Sequence, residues 1–374
     1  MKLKTGSRNP AMDLIRCFAF FCVVGVHFFK YTGFYEQSVA GMTMYWVVLL
    51  RTGFMICVPL FLMLSGYLMK TKQPTRSYYS KIWKTVILYL LASFCCGWYR
   101  AYAYRVYWHQ PVPVKELILG VFSFQTAPYG WYIGMYLGLF ALIPYLNILY
   151  QNLNTQKSRQ TLILILLALT ALPGVANTVN ATDPAWWRCP SSSTAYNTLV
   201  PDYWVDLYPI TYYFIGAYLR DYPLQLKRRT NLLLIILAFF LFGSYGFYRS
   251  YPGNFDTGFW TEAGSLITAT QAVLVFSFLS RLDCSRLPSL LKWILARLSD
   301  WCLGAYLVSG IYDEHFYSYL RDDVPHVLDR MDHFLPVVLK ICVHSLALSA
   351  LLTTLYTVIS LLVSRLRKSP STPL

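Results

Sequence analysis

The chain of 374 residues is 56% apolar, 17% aromatic and only 13% charged, with a formal net charge of +15, whereas an average soluble domain is roughly 45–50% apolar and about 25% charged. So little charge excludes a disordered chain. An apolar excess of this size, arranged in runs of about 20 residues, excludes a soluble core and reads as a protein that crosses the bilayer many times.

Uninterrupted apolar stretches predict about ten membrane-spanning helices, near residues 11–31, 45–69, 83–103, 131–150, 160–178, 204–219, 231–248, 259–280, 301–320 and 334–363. The expected fold class is therefore all-α, a polytopic integral membrane protein. Residues 1–374 form one membrane domain, with no hydrophilic stretch long enough for a separate soluble domain. The first run carries Asp13 and Arg16, and Lys30 follows it, so it lacks the uncharged core of a cleaved secretory signal and stays in the mature chain. The longest hydrophilic loop, about residues 179–203, has Trp186, Trp187 and Trp204 near its ends, placed as interfacial anchors.

Charge tests these spans. With a cytoplasmic amino terminus, the inner segments hold Lys2, Lys4, Arg8, Lys70, Lys72, Arg76, Lys81, Lys84, Lys157, Arg159, Arg220, Lys227, Arg228, Arg229, Arg281, Arg286, Lys292, Arg297, Arg365, Arg367 and Lys368, which is 21 of the 32 basic residues. Only Asp13, Asp221, Asp283 and Asp300 of the 17 acids join them. Lys and Arg resist translocation, so the alternation predicts an even number of spans and both termini in the cytoplasm. The basic residues form no single tract, which argues against nucleic acid as a partner. The nine cysteines lie mostly in or beside apolar segments, and there is no HExxH motif, CxxC pair or phosphate-binding glycine loop. Neither a disulfide framework nor a metal is expected.

Arg16 and His27 stand eleven positions apart in the first span. Eleven steps of about 100° bring the two side chains onto one helix face, about 16 Å apart along the axis. An ionisable group at membrane depth is costly unless it faces protein or water, which makes His27 a site candidate. The plainer readings are that Arg16 snorkels to the interface beside Asp13, its i,i+3 partner, and that His27 only hydrogen-bonds a neighbouring helix.

The stretch MDLIRCFAFFCVVGVHFF (12–29), with ten residues between Arg16 and His27, resembles the opening of the acyltransferase family 3 membrane proteins, which O-acylate envelope glycans. VPLFLMLSGYL (58–68) after Arg51, YYSKIWKTVILYL (78–90), WYIGMYLGLFALIPYL (131–146), YFIGAYL (213–219) and GAYLVSG (304–310) follow in that family's order. The resemblance implies a membrane O-acyltransferase of the bacterial cytoplasmic membrane. It would move an acetyl or similar short acyl group from cytoplasmic acyl-CoA to a hydroxyl of an envelope polysaccharide, glycolipid or lipid-linked saccharide. Acetyl-CoA is then a substrate, and no cofactor is bound permanently.

By the same resemblance His27 is the catalytic histidine and Arg16 its partner. A neutral imidazole can take a hydroxyl proton, while Arg16 stays charged and can hold phosphate or polarise a carbonyl. Lys81 and Lys84 stand where the family often has an Arg-x-x-Arg pair, and are expected to hold CoA phosphates or to anchor the helix at the interface. Arg51, Ser65 and Trp131 are the candidate substrate contacts, with interfacial anchoring the alternative for Arg51 and Trp131 and close helix packing for Ser65-Gly66-Tyr67. Ser309 occupies the place of a histidine common in the family's ninth span. Asp313, Glu314 and His315 beyond it form an outward polar cluster, read as a solvated helix end with contact to an acceptor sugar as the alternative. The rival reading is a transporter or flippase for a lipid-linked saccharide, which predicts an inverted repeat that the sequence lacks. The enzyme reading requires one continuous polar cavity touching both Arg16 and His27.

Overall fold

The computed structural model describes residues 8–107, 109–193 and 196–366. The basic residues Lys2, Lys4, Arg367 and Lys368, which enter the topology argument, lie outside them. Eleven principal helices make up the described chain: α1 (Pro10–Tyr31), α2 (Gly41–Phe54), α3 (Cys57–Met69), α4 (Ile82–Tyr107), α5 (Trp131–Asn152), α6 (Gln156–Thr170), α7 (Tyr208–Asp221), α8 (Arg228–Ser250), α9 (Leu266–Ser280), α10 (Ser289–Asp323) and α11 (Phe334–Leu366). With α2 and α3 taken together, nine segments of the described residues are long and apolar enough to cross a membrane.

The sixth expected span, 204–219, is shorter than anticipated. Helix α7 has 14 residues, about 21 Å at 1.5 Å per residue, against about 30 Å of hydrocarbon. It is wrapped by protein instead of lipid, with Tyr212, Tyr213, Phe214 and Ala217 buried. Helices α3 and α7 meet at two glycines: a Cβ on Gly66 would overlap the carbonyl of Tyr213, and one on Gly216 would overlap the carbonyl of Met63. Small residues permit this backbone approach, which is the packing role foreseen for the Ser65-Gly66 turn. Asn147 of α5 closes the end of α3, donating to the carbonyls of Met69 at 2.9 Å and Lys72 at 2.8 Å and accepting from the Tyr213 hydroxyl at 2.7 Å.

The single span expected over 45–69 is two helices. Pro59 lacks an amide hydrogen and its ring excludes the carbonyl of Met55, so α2 ends at Phe54 and α3 restarts at Cys57. Helix α1 starts where its caps dictate: the Asn9 side chain accepts from the Ala11 amide at 3.0 Å, and Pro10 opens the first turn. It is the central helix, burying Ile15, Ala19, Cys22, Val24, Phe28 and Phe29 against α3, α10 and α11.

At the end of the bundle toward which α1 runs, the loop after α6 is tied down by Arg249. This buried guanidinium donates to the Thr178 carbonyl at 2.7 Å and to Asp256 at 3.0 Å, and lies against the rings of Trp186, Tyr196 and Trp260. Trp186 is therefore a core residue and not the anchor expected from its position, whereas Trp187 and Trp204 are exposed. A short helix absent from the sequence reading, Val114–Phe122, leaves Val114, Ile118, Leu119 and Phe122 uncovered, as a helix lying in a membrane interface does.

Candidate active site

Arg16 lies on the first half of α1, about 16 Å along the axis from His27. Its Nη1 donates to Ser299 Oγ at 2.6 Å and stands 3.7 Å from Asp13. Arg8 in turn grips both Asp13 oxygens, at 2.7 and 2.8 Å. A second cation thus neutralises the carboxylate that would otherwise claim Arg16, and much of the Arg16 fork is left for another anion.

That fork borders a cavity of about 190 Å³ between α1, α3, α4, α5 and α10, whose walls include Val23, Ser65, Tyr132, Tyr136 and Tyr306. Ser65 lines it while donating to the Phe61 carbonyl at 3.0 Å. Thr85 lines it from α4, one turn beyond Lys81 and next to Lys84, and both lysines are exposed. Two expected substrate contacts lie elsewhere. Arg51 is buried near the other end, donating to the Tyr35 hydroxyl and the Thr261 carbonyl with its guanidinium over Phe255. Trp131 is half exposed, and its neighbour Tyr132 faces the cavity instead.

The cavity does not reach His27, so the single passage expected from the sequence is divided in this conformer. Its lining is mainly apolar rather than polar. Tyr132 and Tyr306 stand at the division, their rings 5.5 Å apart, and Tyr306 packs on Tyr129 at 5.8 Å.

Beyond them, His27 is held by two residues that also bind each other. Its Nδ1 is 3.0 Å from Asp313 Oδ2, and its ring stacks on Tyr129 with centroids 3.9 Å apart and planes at 18°. The Tyr129 hydroxyl donates to the same Asp313 oxygen at 2.5 Å. Burial, then the neighbouring Asp313, pushes the Tyr129 phenol well above its ordinary range, so it stays a proton donor. Asp313 is fully buried, and its Oδ1 has no partner among the described residues. With the Nδ1 proton directed at this carboxylate, Nε2 presents a lone pair, the arrangement a general base needs.

From sequence Asp313 was read only as part of an outward polar cluster, not as the partner of His27, and Tyr129 was not read as a site residue. The expectation that residues 313–315 form one solvated helix end fails, because consecutive helical residues point about 100° apart. Asp313 turns inward to His27, Glu314 lines a separate cavity, and His315 packs on Phe316 and Tyr319. The available signal was the rule that singled out His27, since a carboxylate four residues after Ser309 in an apolar helix is as costly as a buried imidazole. Ser309 itself is buried and donates to the Tyr306 carbonyl at 3.0 Å within its own helix. Among the described residues no cluster of His, Cys, Asp and Glu is disposed to hold a metal ion.

The family model for acyltransferase family 3, described as an acyltransferase domain, matches residues 9–365. No curated protein and no solved structure matches the chain.

Proposed function

The chain belongs to acyltransferase family 3, and from that premise we propose that it is a membrane O-acyltransferase in which His27 activates an acceptor hydroxyl and Arg16 holds the remote end of an acyl-CoA. The observation that carries this reading is the buried His27–Asp313 pair, with an Nδ1···Oδ2 distance of 3.0 Å. A hydroxyl placed at Nε2 gives its proton to His27 as its oxygen attacks the thioester carbonyl. Asp313 balances the imidazolium that forms, and the proton passes to the departing CoA thiolate or to water. The CoA thiol leaves and an ester bond replaces the thioester bond.

The separation of Arg16 and His27 bears on the donor. Both cannot touch one carbonyl across about 16 Å. The pantetheine arm from the diphosphate to the thioester carbon runs through about fourteen bonds at about 1.2 Å each, roughly 17 Å when extended. That length lets one donor keep its phosphates at Arg16, Lys81 and Lys84 while its thioester reaches His27. The apolar walls of the cavity suit the methyl groups and methylenes of the arm. In this reading Arg16 faces the cytoplasm, where CoA is, both termini are cytoplasmic, and the acceptor is an envelope glycan or lipid-linked saccharide presented from the other face. Acetyl is the expected acyl group, and the membrane is a bacterial cytoplasmic membrane.

The test is mass spectrometry of envelope glycans from cells carrying the wild-type or the His27→Ala protein, with membrane insertion checked. Loss of O-acetyl esters at equal protein level is the expected result. Retained esters together with altered export of lipid-linked sugar would overturn the enzyme reading in favour of a transporter.

A further inference from the structure

Across the Tyr129–His27 layer from the Arg16 cavity lies a second one, of about 240 Å³, whose lining is divided about evenly between polar and apolar surface, where the first is mainly apolar. Helix α4 supplies Tyr99, Arg100 and Tyr104, the turn before α5 supplies Gln125, and α10 supplies Gly310 and Glu314. Its floor adjoins the reacting groups along the chain, because Pro128 precedes Tyr129 and residues 310 and 314 flank Asp313. Gly310 makes that floor possible: a Cβ there would lie 2.8 Å from the Pro128 ring, so any side chain would push the Tyr129 segment away from α10.

Arg100 and Glu314 line this vestibule from different helices, and no ion pair joins them among the described residues. Arg100 instead lies over the Tyr104 ring, 5.4 Å from its centroid. A guanidinium, a carboxylate, an amide and phenol rings lining one hollow offer donors, acceptors and flat apolar faces together. That combination is suited to a ring bearing several hydroxyls: the carboxylate and the amide oxygen accept hydroxyl protons, the guanidinium donates to hydroxyl oxygens, and a phenol face covers the C–H side of the ring. The two charges cancel, so neither a polyanion nor a polycation is favoured. The volume falls below the roughly 300–1,000 Å³ of drug-sized sites, which limits the occupant to about one sugar unit. On α10, between the lining residues Gly310 and Glu314, the Asp313 Oδ1 oxygen is buried without a partner among the described residues, a polar group in want of a donor.

We propose that this vestibule, bracketed by Arg100 and Glu314, binds one neutral sugar residue of the acceptor and delivers its hydroxyl to His27. The assignment rests on the acyltransferase reading above and adds a site for the acceptor and the uncharged character of the sugar residue it takes.

Methyl glucoside serves as a neutral probe and glucuronic acid as its anionic counterpart, with the full chain in lipid nanodiscs. Two measurements are made on wild type, Arg100→Gln and Glu314→Gln: saturation transfer from protein to probe protons by NMR, and the dependence of acetyl-CoA consumption on probe concentration. The expected result is saturation transfer to methyl glucoside in wild type, diminished in both variants. The KM for methyl glucoside should rise about 10- to 100-fold, as for loss of a hydrogen bond to a charged group, while the KM for acetyl-CoA moves less than about threefold. Equal saturation transfer in all three proteins, or a rise in the acetyl-CoA KM alone, overturns the vestibule assignment. Stronger transfer to glucuronic acid than to methyl glucoside overturns the neutral-sugar class. Wild type that shows transfer lost in both variants but never consumes acetyl-CoA upholds the vestibule and sinks the acyltransferase reading.

Discussion

Replacing Asp313 by Asn tests the proposed chemistry most directly, because it keeps the shape of the side chain and removes its charge. One oxygen, Oδ2, accepts from both His27 at 3.0 Å and Tyr129 at 2.5 Å, while Oδ1 is buried without a partner. An asparagine has one oxygen to place. If it takes the Oδ2 position, both hydrogen bonds survive but an amide N–H₂ is buried where nothing accepts from it, at a cost of about 1–3 kcal/mol. If the amide turns over, its N–H₂ faces two donors, and His27 can pair with it only by moving its own proton to Nε2, where the base must be free. Either orientation also loses the negative charge that steadies the imidazolium. The corresponding change in a serine-protease triad lowers kcat by about 10⁴. With one of the two orientations preserving the tautomer here, a loss of about 10² to 10⁴ in kcat is expected, or roughly 3–5.5 kcal/mol of barrier. The assay is chromatographic release of free CoA from acetyl-CoA by protein in nanodiscs with a saturating hydroxyl acceptor, alongside thermal unfolding. A variant that keeps more than about a third of wild-type kcat, or whose lost turnover follows an equal loss of folded protein, would refute the base assignment.

Four further outcomes follow from the geometry. Tyr129→Phe removes one of the two donors to Asp313 but keeps the ring stacked on His27, so kcat should fall by about tenfold, less than for Asp313→Asn in the same CoA-release assay. Arg16→Lys keeps a charge but not the planar fork, and steady-state kinetics should show a rise of about tenfold in the acetyl-CoA KM with a smaller change in kcat. The double change Lys81→Ala with Lys84→Ala should raise the same KM at low ionic strength and lose most of that effect near 1 M salt, where the Debye length is about 3 Å. Gly66→Ala drives a methyl group into the Tyr213 carbonyl; unfolding in detergent should show a fall of about 5 °C or more, with Ser65→Ala, which leaves that backbone approach untouched, changing less.

The first helix was legible as an apolar run over 11–31 interrupted only by Asp13, Arg16, His27 and Lys30, whereas the Asn9 cap and Pro10 that set its start emerge from the structure. Arg16 and His27 were legible for the same reason, as charges in an otherwise apolar helix whose spacing fixes a common face. Hydropathy alone could not reveal that α7 stops short of a full crossing, since a window average does not distinguish a helix wrapped by protein from one facing lipid. The break at Met55–Ile56 was marked by Pro59, but the surrounding apolar run hid it. Asp313 escaped because its role depends on which way one turn of α10 faces. That is set by packing against α1, where His27 and Asp313 are 286 residues apart in sequence, and by Gly310 admitting Pro128, about 180 residues away.

The division of the interior into two cavities has a consequence for how the donor is used. A thioester held beside His27 with water in one open passage would be exposed to base-assisted hydrolysis, and the His27–Asp313 hydrogen bond would be weakened by the same water. Tyr132, Tyr306 and Tyr129 close the route between the Arg16 cavity and His27 with ring contacts and not with backbone. Rotating side chains can therefore open it without moving a helix. Tyr306→Ala, which removes one ring of that wall, should raise the acceptor-independent release of CoA from acetyl-CoA severalfold while leaving the His27-dependent transfer in place. If the variant releases CoA no faster than wild type when acceptor is withheld, the tyrosines are packing and the barrier to water lies elsewhere.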